Sequence, residues 1–205
     1  MNEVIMFKCG YVGIIGRPNV GKSTMLNAII GEKIAAVTAK PQTTRNRITG
    51  ILNSDDAQII FVDTPGIHQA FNTLNRSMVN NAMKAIKGVE VVAFLLEAHL
   101  GITNSDIDIL QTLKLRTSLP VVAIINKIDR IEKPSLLPLI DKISKLFPFI
   151  AIIPICAQSG NGIPVVIEEI KKLLPVGEPC FPTDYFTDKS ERFIVEEIIR
   201  EQIIL

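Results

Sequence analysis

The chain has 205 residues, 47% of them hydrophobic and 21% charged, a composition that fits one ordinary globular domain with a short extra element and excludes intrinsic disorder. Lysine and arginine total 22 against 21 acidic residues, a net charge of +1, so no global basic field holds the chain on nucleic acid or membrane. Three cysteines, Cys9, Cys156 and Cys180, lack CxxC spacing. They indicate neither a disulfide framework nor a four-cysteine zinc site, which favours a reducing compartment.

The first eight residues are broken by Glu3 and carry no secretion pattern. The longest apolar run, residues 91–96, ends at Glu97, far below the ~20 residues that span a bilayer. A cytoplasmic protein is expected.

In chain order, residues 11–15 read as a strand buried on both faces. They lead into Gly16-Arg17-Pro18-Asn19-Val20-Gly21-Lys22-Ser23, followed by Thr24. This fits GxxxxGK[ST] in the required context, between an apolar strand and a helix at 22–30. In that helix Met25 with Ile29 and Leu26 with Ile30 form one apolar stripe that packs on a sheet. The loop N–H groups and the helix N-terminus converge on phosphate oxygens, Lys22 adds a cation, and the Ser23 hydroxyl can ligate Mg²⁺.

Strands at 48–53 and 58–62 are joined by four residues, too few for a parallel crossover, so they form a hairpin and the sheet is mixed. Asp63-Thr64-Pro65-Gly66 follows, forty residues after Ser23. Asp63 at a strand's carboxyl end can hold Mg²⁺ directly or through water, and the Gly66 N–H can meet a γ-phosphate. A simple turn is the alternative.

A helix at 74–86, a strand at 89–96, a helix at 105–115 and a strand at 121–125 come next, ending in Asn126-Lys127-Ile128-Asp129. The Asp129 carboxylate can accept from guanine N1–H and its exocyclic amine, which adenine cannot offer. Sites of this kind discriminate by factors of ~10⁴ or more. Asn126 would brace neighbouring loops, and the Lys127 stem would cover the base.

A helix at 135–147, a strand at 150–155 and a helix at 164–173 complete a domain at 1–175. Pro175, Gly177, Pro179 and Pro182 mark 176–189 as a linker. The last helix, 190–205, has Ser190 as N-cap and Phe193, Ile194, Ile198 and Ile199 as apolar positions. It either docks back on the first domain or opens a second one.

GRPNVGKS, DTPG and NKID in this order resemble the translation-factor-like GTPases. Lys40-Pro41-Gln42-Thr43-Thr44-Arg45, Phe181-Pro182-Thr183-Asp184-Tyr185 and Glu197-Ile198-Ile199-Arg200-Glu201 resemble the Era family of ribosome-assembly GTPases. The resemblance implies an α/β P-loop NTPase G domain with a mixed, mostly parallel six-stranded sheet and helices on both faces. It also implies a Mg²⁺-dependent GTPase, monomeric, that binds GTP and GDP and reaches the small ribosomal subunit and its 16S rRNA through a carboxyl-terminal KH domain.

A KH domain needs a GXXG loop, and none follows residue 177. Residues 183–205 carry six acidic and three basic side chains, which repel phosphate. Residues 190–205 would then be only that domain's opening helix. Membrane association, sometimes linked with the family, finds no support in these residues.

By the same resemblance, residues 38–47 form the first switch, with Thr44, or alternatively Thr43, joining Ser23 and Asp63 as Mg²⁺ ligands. Lys22, Asn19, Thr44 and Gly66 form the expected catalytic set, and Cys156-Ala157 stands where the base-closing loop usually reads Ser-Ala. The Ala157 N–H would meet guanine O6. Ile67 occupies the position of the water-orienting glutamine, which predicts slow intrinsic turnover. Asn19 would help hold K⁺ near the phosphates. His68, the other polar neighbour, reads as an exposed loop residue. An ATP-dependent P-loop enzyme and a module that holds nucleotide without hydrolysis are the rival readings.

Overall fold

The computed structural model describes residues 6–37, 48–63 and 87–204. The expected helix 74–86 and the segment 38–47 lie outside them. Six strands, β1 (Lys8–Gly16), β2 (Ile48–Asn53), β3 (Ala57–Asp63), β4 (Val91–Glu97), β5 (Val121–Asn126) and β6 (Ala151–Pro154), form one sheet in the order β2-β3-β1-β4-β5-β6. Only β2 runs antiparallel to its neighbour; the pairs β3–β1, β1–β4, β4–β5 and β5–β6 are parallel. The hairpin turn is closed by the Ser54 hydroxyl, which donates to Asp56 and accepts from the Ala57 N–H.

Alternation along the strands sorts side chains into two layers. Val91, Ala93 and Leu95 of β4 face α1 (Lys22–Ile30) and α4 (Ile163–Leu173), whose Met25, Leu26, Ile29, Val166 and Ile170 are buried there. Val92, Phe94 and Leu96 face the opposite way, onto Ile109, Leu110 and Leu113 of α2 (Asn104–Arg116) and Ile143 of α3 (Leu136–Ser144). Burying each such side chain contributes ~1.5–3 kcal/mol.

Element ends shift for local reasons. β4 starts at Val91 rather than 89, because Gly88 (φ 77°) turns the chain just before it, and it runs on to Glu97 in register with Asn126. α2 starts at Asn104 behind a capping box, in which the Thr103 hydroxyl accepts from the Asp106 N–H and the Asp106 carboxylate accepts from the Thr103 N–H. α3 stops at Ser144, short of 147. Pro148 disfavours helical backbone at the residue before it, and Phe147 turns into the second layer.

The stretch expected as a linker is bonded along the sheet. Cys9 N–H donates to the Pro175 carbonyl, and Gly177 N–H to that of Phe7. Fully buried Gln58 accepts from the N–H groups of Cys180 (2.7 Å) and Phe181 (2.9 Å) and donates to the Phe181 carbonyl (2.8 Å). The Ile51 N–H then meets the Phe186 carbonyl, and the Thr187 hydroxyl the Thr49 carbonyl. Residues 175–187 thus form a strap over the start of β1 and the outer edge of β2, satisfying an edge that would otherwise invite intermolecular pairing.

Helix α5 (Glu191–Ile204) follows and lies on the loop after α1. Glu201 accepts from Lys33 Nζ (2.8 Å) and the Val37 N–H (3.2 Å), and Phe193 packs on the first layer. Among the described residues no helix is long and apolar enough to cross a membrane.

Gln58→Ala removes three bonds to the strap and leaves the N–H groups of Cys180 and Phe181 without their side-chain acceptor. Thermal and urea unfolding should show a loss of ~1–3 kcal/mol, and hydrogen exchange at the Cys180 and Phe181 amides should accelerate.

Candidate functional site

The loop between β1 and α1 sits at the carboxyl end of the central strand, where sheets of this class place their ligands. Its turn needs two glycines. Gly16 has φ 152°, and a Cβ there would lie 2.5 Å from the Leu95 carbonyl oxygen; Gly21 has φ 98°, and a Cβ would lie 2.2 Å from Asn126 Nδ2. Helix α1 begins behind Gly21 without a side-chain cap or a first-turn acid. The first N–H groups of Lys22, Ser23 and half-buried Thr24 are therefore presented at the loop, as an anion site requires.

Lys22 is buried and folds over the loop, Nζ donating to the carbonyls of Gly16 (3.0 Å) and Arg17 (2.8 Å). Burial pushes its pKa down, while the nearby Asp63 carboxylate opposes that shift. The Ser23 hydroxyl donates to Asp63 Oδ2 at 3.0 Å. A hydroxyl and a carboxylate thus share one buried place beside the lysine. Arg17 turns away toward α2, its Nε donating to both Asp106 carboxylate oxygens at 2.9 and 3.0 Å. It anchors the loop, while Pro18 and exposed Asn19 form the tip and Val20 is fully buried.

Asn126 ends β5 and is 2% exposed. Its Nδ2 donates to the Val20 carbonyl (2.8 Å), and its Oδ1 accepts from the N–H groups of Lys127 (2.8 Å) and Ala157 (3.0 Å). One amide therefore joins the phosphate-type loop, its own loop and the loop at Cys156-Ala157. The Ala157 N–H, expected at a base oxygen, is engaged by Asn126 here.

Lys127 sits at φ 62°, and its Nζ donates to the Asn19 carbonyl and to Glu97 Oε1, both at 2.6 Å. The exposed Asp129 carboxylate lines a cavity of about 580 Å³ with Ile131, Leu136, Cys156, Gln158 and Ser159. Cys156 is buried there, its N–H donating to the Asn161 carbonyl. Thr43, Thr44, Thr64, Pro65, Gly66, Ile67 and His68 lie outside the described residues.

Comparison with known proteins gives a family. The family described as 50S ribosome-binding GTPase matches residues 11–127. GTPase Era of Syntrophus aciditrophicus is 52% identical over 98% of this chain, which spans 65% of that relative's length. The structure of Era in complex with MgGDPNP and nucleotides 1506–1542 of 16S ribosomal RNA superposes with a TM-score of 0.87 at 42% identity, covering 96% of this chain and 67% of that one.

The chain belongs to the Era family of GTPases. A variant of Aquifex aeolicus Era bound to GDP·AlF₄⁻ gives the same TM-score of 0.87 and 42% identity. The curated Era relatives are longer, and this chain spans about two thirds of them, 65–66%.

Two residues of this Era-type site are missing from the motif reading. Glu97 is buried and holds Lys127, with His99 Nε2 3.4 Å from its other oxygen. Its signal was available, since it ends an apolar strand as Asp63 does. Asp106, fully buried, holds Arg17. Thr103-x-x-Asp106 reads as a capping box, but nothing local in the sequence points it at Arg17.

The depressed Lys22 pKa fixes a pH dependence. Between the lowered value and the ordinary lysine value the unfolded chain holds the proton and the folded one does not, so stability rises with pH there and is flat below it. In denaturant unfolding of the nucleotide-free protein, the stability difference between the wild type and Lys22→Met should rise with pH across that window, over the opposing fall that the raised Cys9 thiol contributes to both proteins.

Proposed function

We propose that this chain is the nucleotide-switch part of an Era-type GTPase, Mg²⁺-dependent and acting on GTP in assembly of the small ribosomal subunit. The observation that carries the reading is the Asn126 clamp, which fixes the phosphate-type loop against the loop bearing Asp129. In this reading residues 1–175 form the GTP-binding domain, and the strap and α5 lead toward the RNA-binding part of longer relatives. The Era relative solved with 16S ribosomal RNA supports the link to the small ribosomal subunit.

The phosphates lie on the N–H groups of residues 20–24, and Lys22 Nζ exchanges its two carbonyl acceptors for phosphate oxygens. Its ammonium, poorly solvated where it is buried, then gains a counter-charge. The Ser23 hydroxyl and Asp63 carboxylate are hard oxygen donors 3.0 Å apart, a set that suits Mg²⁺, with Thr44 as the proposed third ligand. When bound, the ion neutralises charge on the β- and γ-phosphates.

Asp129 accepts from the guanine N1–H and amine, the Lys127 stem covers the base, and Gly66 N–H meets the γ-phosphate. With Ile67 unable to orient water, intrinsic hydrolysis is slow and the switch waits on a partner.

Calorimetry with GDP, GTP and ATP, with and without Mg²⁺, tests this. Guanine nucleotides should bind at least ~100-fold more tightly than ATP, and Asp129→Ala should remove that preference. Equal affinity for ATP overturns the reading. Single-turnover phosphate release separates a slow GTPase from a module that only holds nucleotide, and equal rates in potassium and sodium buffers would exclude a K⁺ role at Asn19.

A further inference from the structure

Cys9 and Cys180 lie 171 residues apart in sequence, yet their Sγ atoms are 3.3 Å apart. The pair is built by the fold. Cys9 and Gln58 are register partners on β1 and β3, and the Gln58 side chain accepts the Cys180 N–H at 2.7 Å while its Oε1 stands 3.8 Å from Cys9 Sγ. The same strap is pinned on both sides, by the Gly177 N–H to the Phe7 carbonyl and by the Phe181 N–H to Gln58. Cys9 is buried and Cys180 exposed.

We propose that Cys9 and Cys180 form a dithiol modification site for low-molecular-weight disulfides, in which Cys180 reacts first and Cys9 resolves the adduct into a bond fastening the strap to β1. The site is independent of the nucleotide site and does not rest on the function proposed for it.

The chemistry balances with the disulfide RSSR as oxidant. Cys180 as thiolate attacks one sulfur of RSSR; the Cys180–SR bond forms, the R–S–S–R bond breaks, and RS⁻ leaves and takes a proton from water. Cys9 then attacks Cys180 Sγ, the protein disulfide forms, the Cys180–SR bond breaks, and the expelled RS⁻ takes up the proton that Cys9 gives up. Two protein thiols are oxidised and one RSSR is reduced to two RSH. The order follows from access, since only Cys180 meets solvent. It also follows from acidity, because burial, the neighbouring Cys180 and Glu90 push the Cys9 thiol up to about 11, leaving it a poor first nucleophile.

Reaction needs no large rearrangement, because sulfurs already in contact close to bonding distance by small side-chain and strap shifts. Cys156, buried in the loop beside Asn126 with no cysteine partner, serves as an internal control.

The test is glutathione disulfide added to the full chain, followed by non-reducing peptide mass spectrometry. The wild type should become two hydrogens lighter through a single Cys9–Cys180 cross-link, reversed by dithiothreitol, with Cys156 unmodified. Cys9→Ser should stop at one glutathione on Cys180, and Cys180→Ser should slow modification of Cys9 by about tenfold or more.

A persistent glutathione on Cys180 of the wild type, with Cys9 still a free thiol, would overturn the proposal. So would Cys9 reacting equally fast without Cys180. The wild-type cross-link is decisive by itself, so the test survives a variant that folds poorly.

Discussion

The site depends on one buried side-chain amide. Asn126 spends its Nδ2 on the Val20 carbonyl and its Oδ1 on the N–H groups of Lys127 and Ala157, so three loops share one hydrogen-bonding centre. At 2% exposure water does not replace any of these bonds cheaply, and leaving a partner unpaired costs ~1–3 kcal/mol. The clamp explains Gly21, whose position admits no Cβ because Asn126 Nδ2 occupies the space. It also explains how strain is tolerated. Asn19 and Lys127, the non-glycine residues with positive φ among those described, are tied to each other through Lys127 Nζ and the Asn19 carbonyl, with Glu97 as the counter-charge. Strain of this kind costs ~1–3 kcal/mol per residue and persists where surrounding bonds over-determine it.

Much of this was legible in the sequence because its signals are local. Apolar runs marked the strands, the four-residue connection 54–57 forced the hairpin, and GRPNVGKS between an apolar strand and an amphipathic helix placed the loop at a carboxyl end. The reading of Asn126-Lys127-Ile128-Asp129 expected Asn126 to brace neighbouring loops, and its side chain joins three of them. The pairings that fix the geometry were not legible, since they join residues far apart in the chain: Arg17 with Asp106, Gln58 with Phe181, Lys33 with Glu201. Periodicity tells which face of an element is buried, but not which polar side chain it meets across a connection of a hundred residues. Residues 176–189 show the limit of composition: Pro and Gly mark the absence of helix, and a stretch bonded to a sheet edge carries the same composition as an unbonded one.

The strap and α5 are tied to β2 and to the loop after α1. The strap is bonded to β2 through Ile51, Asn53 and Thr49, and α5 is bonded to Lys33 and Val37 through Glu201. β2 and Val37 flank, in sequence, the segment expected as the first switch. Contacts on both sides of one segment are what a helix needs if its position and that segment's conformation are to bias each other. Of the acidic residues of α5, Glu201 bonds across to Lys33, whereas Glu197 pairs with Arg200 within the helix, so part of the helix's negative charge serves docking.

The central claim is that one amide organises both halves of the site, and amide hydrogen exchange of Asn126→Ala against the wild type tests it most directly. Protection should fall together at Ala157, at Lys127 and in the 20–24 segment, while the β1–β3 amides stay unchanged. Loss confined to Ala157 and Lys127, with the 20–24 segment as protected as before, would show that the phosphate-type loop holds its shape without the clamp and would contradict the account.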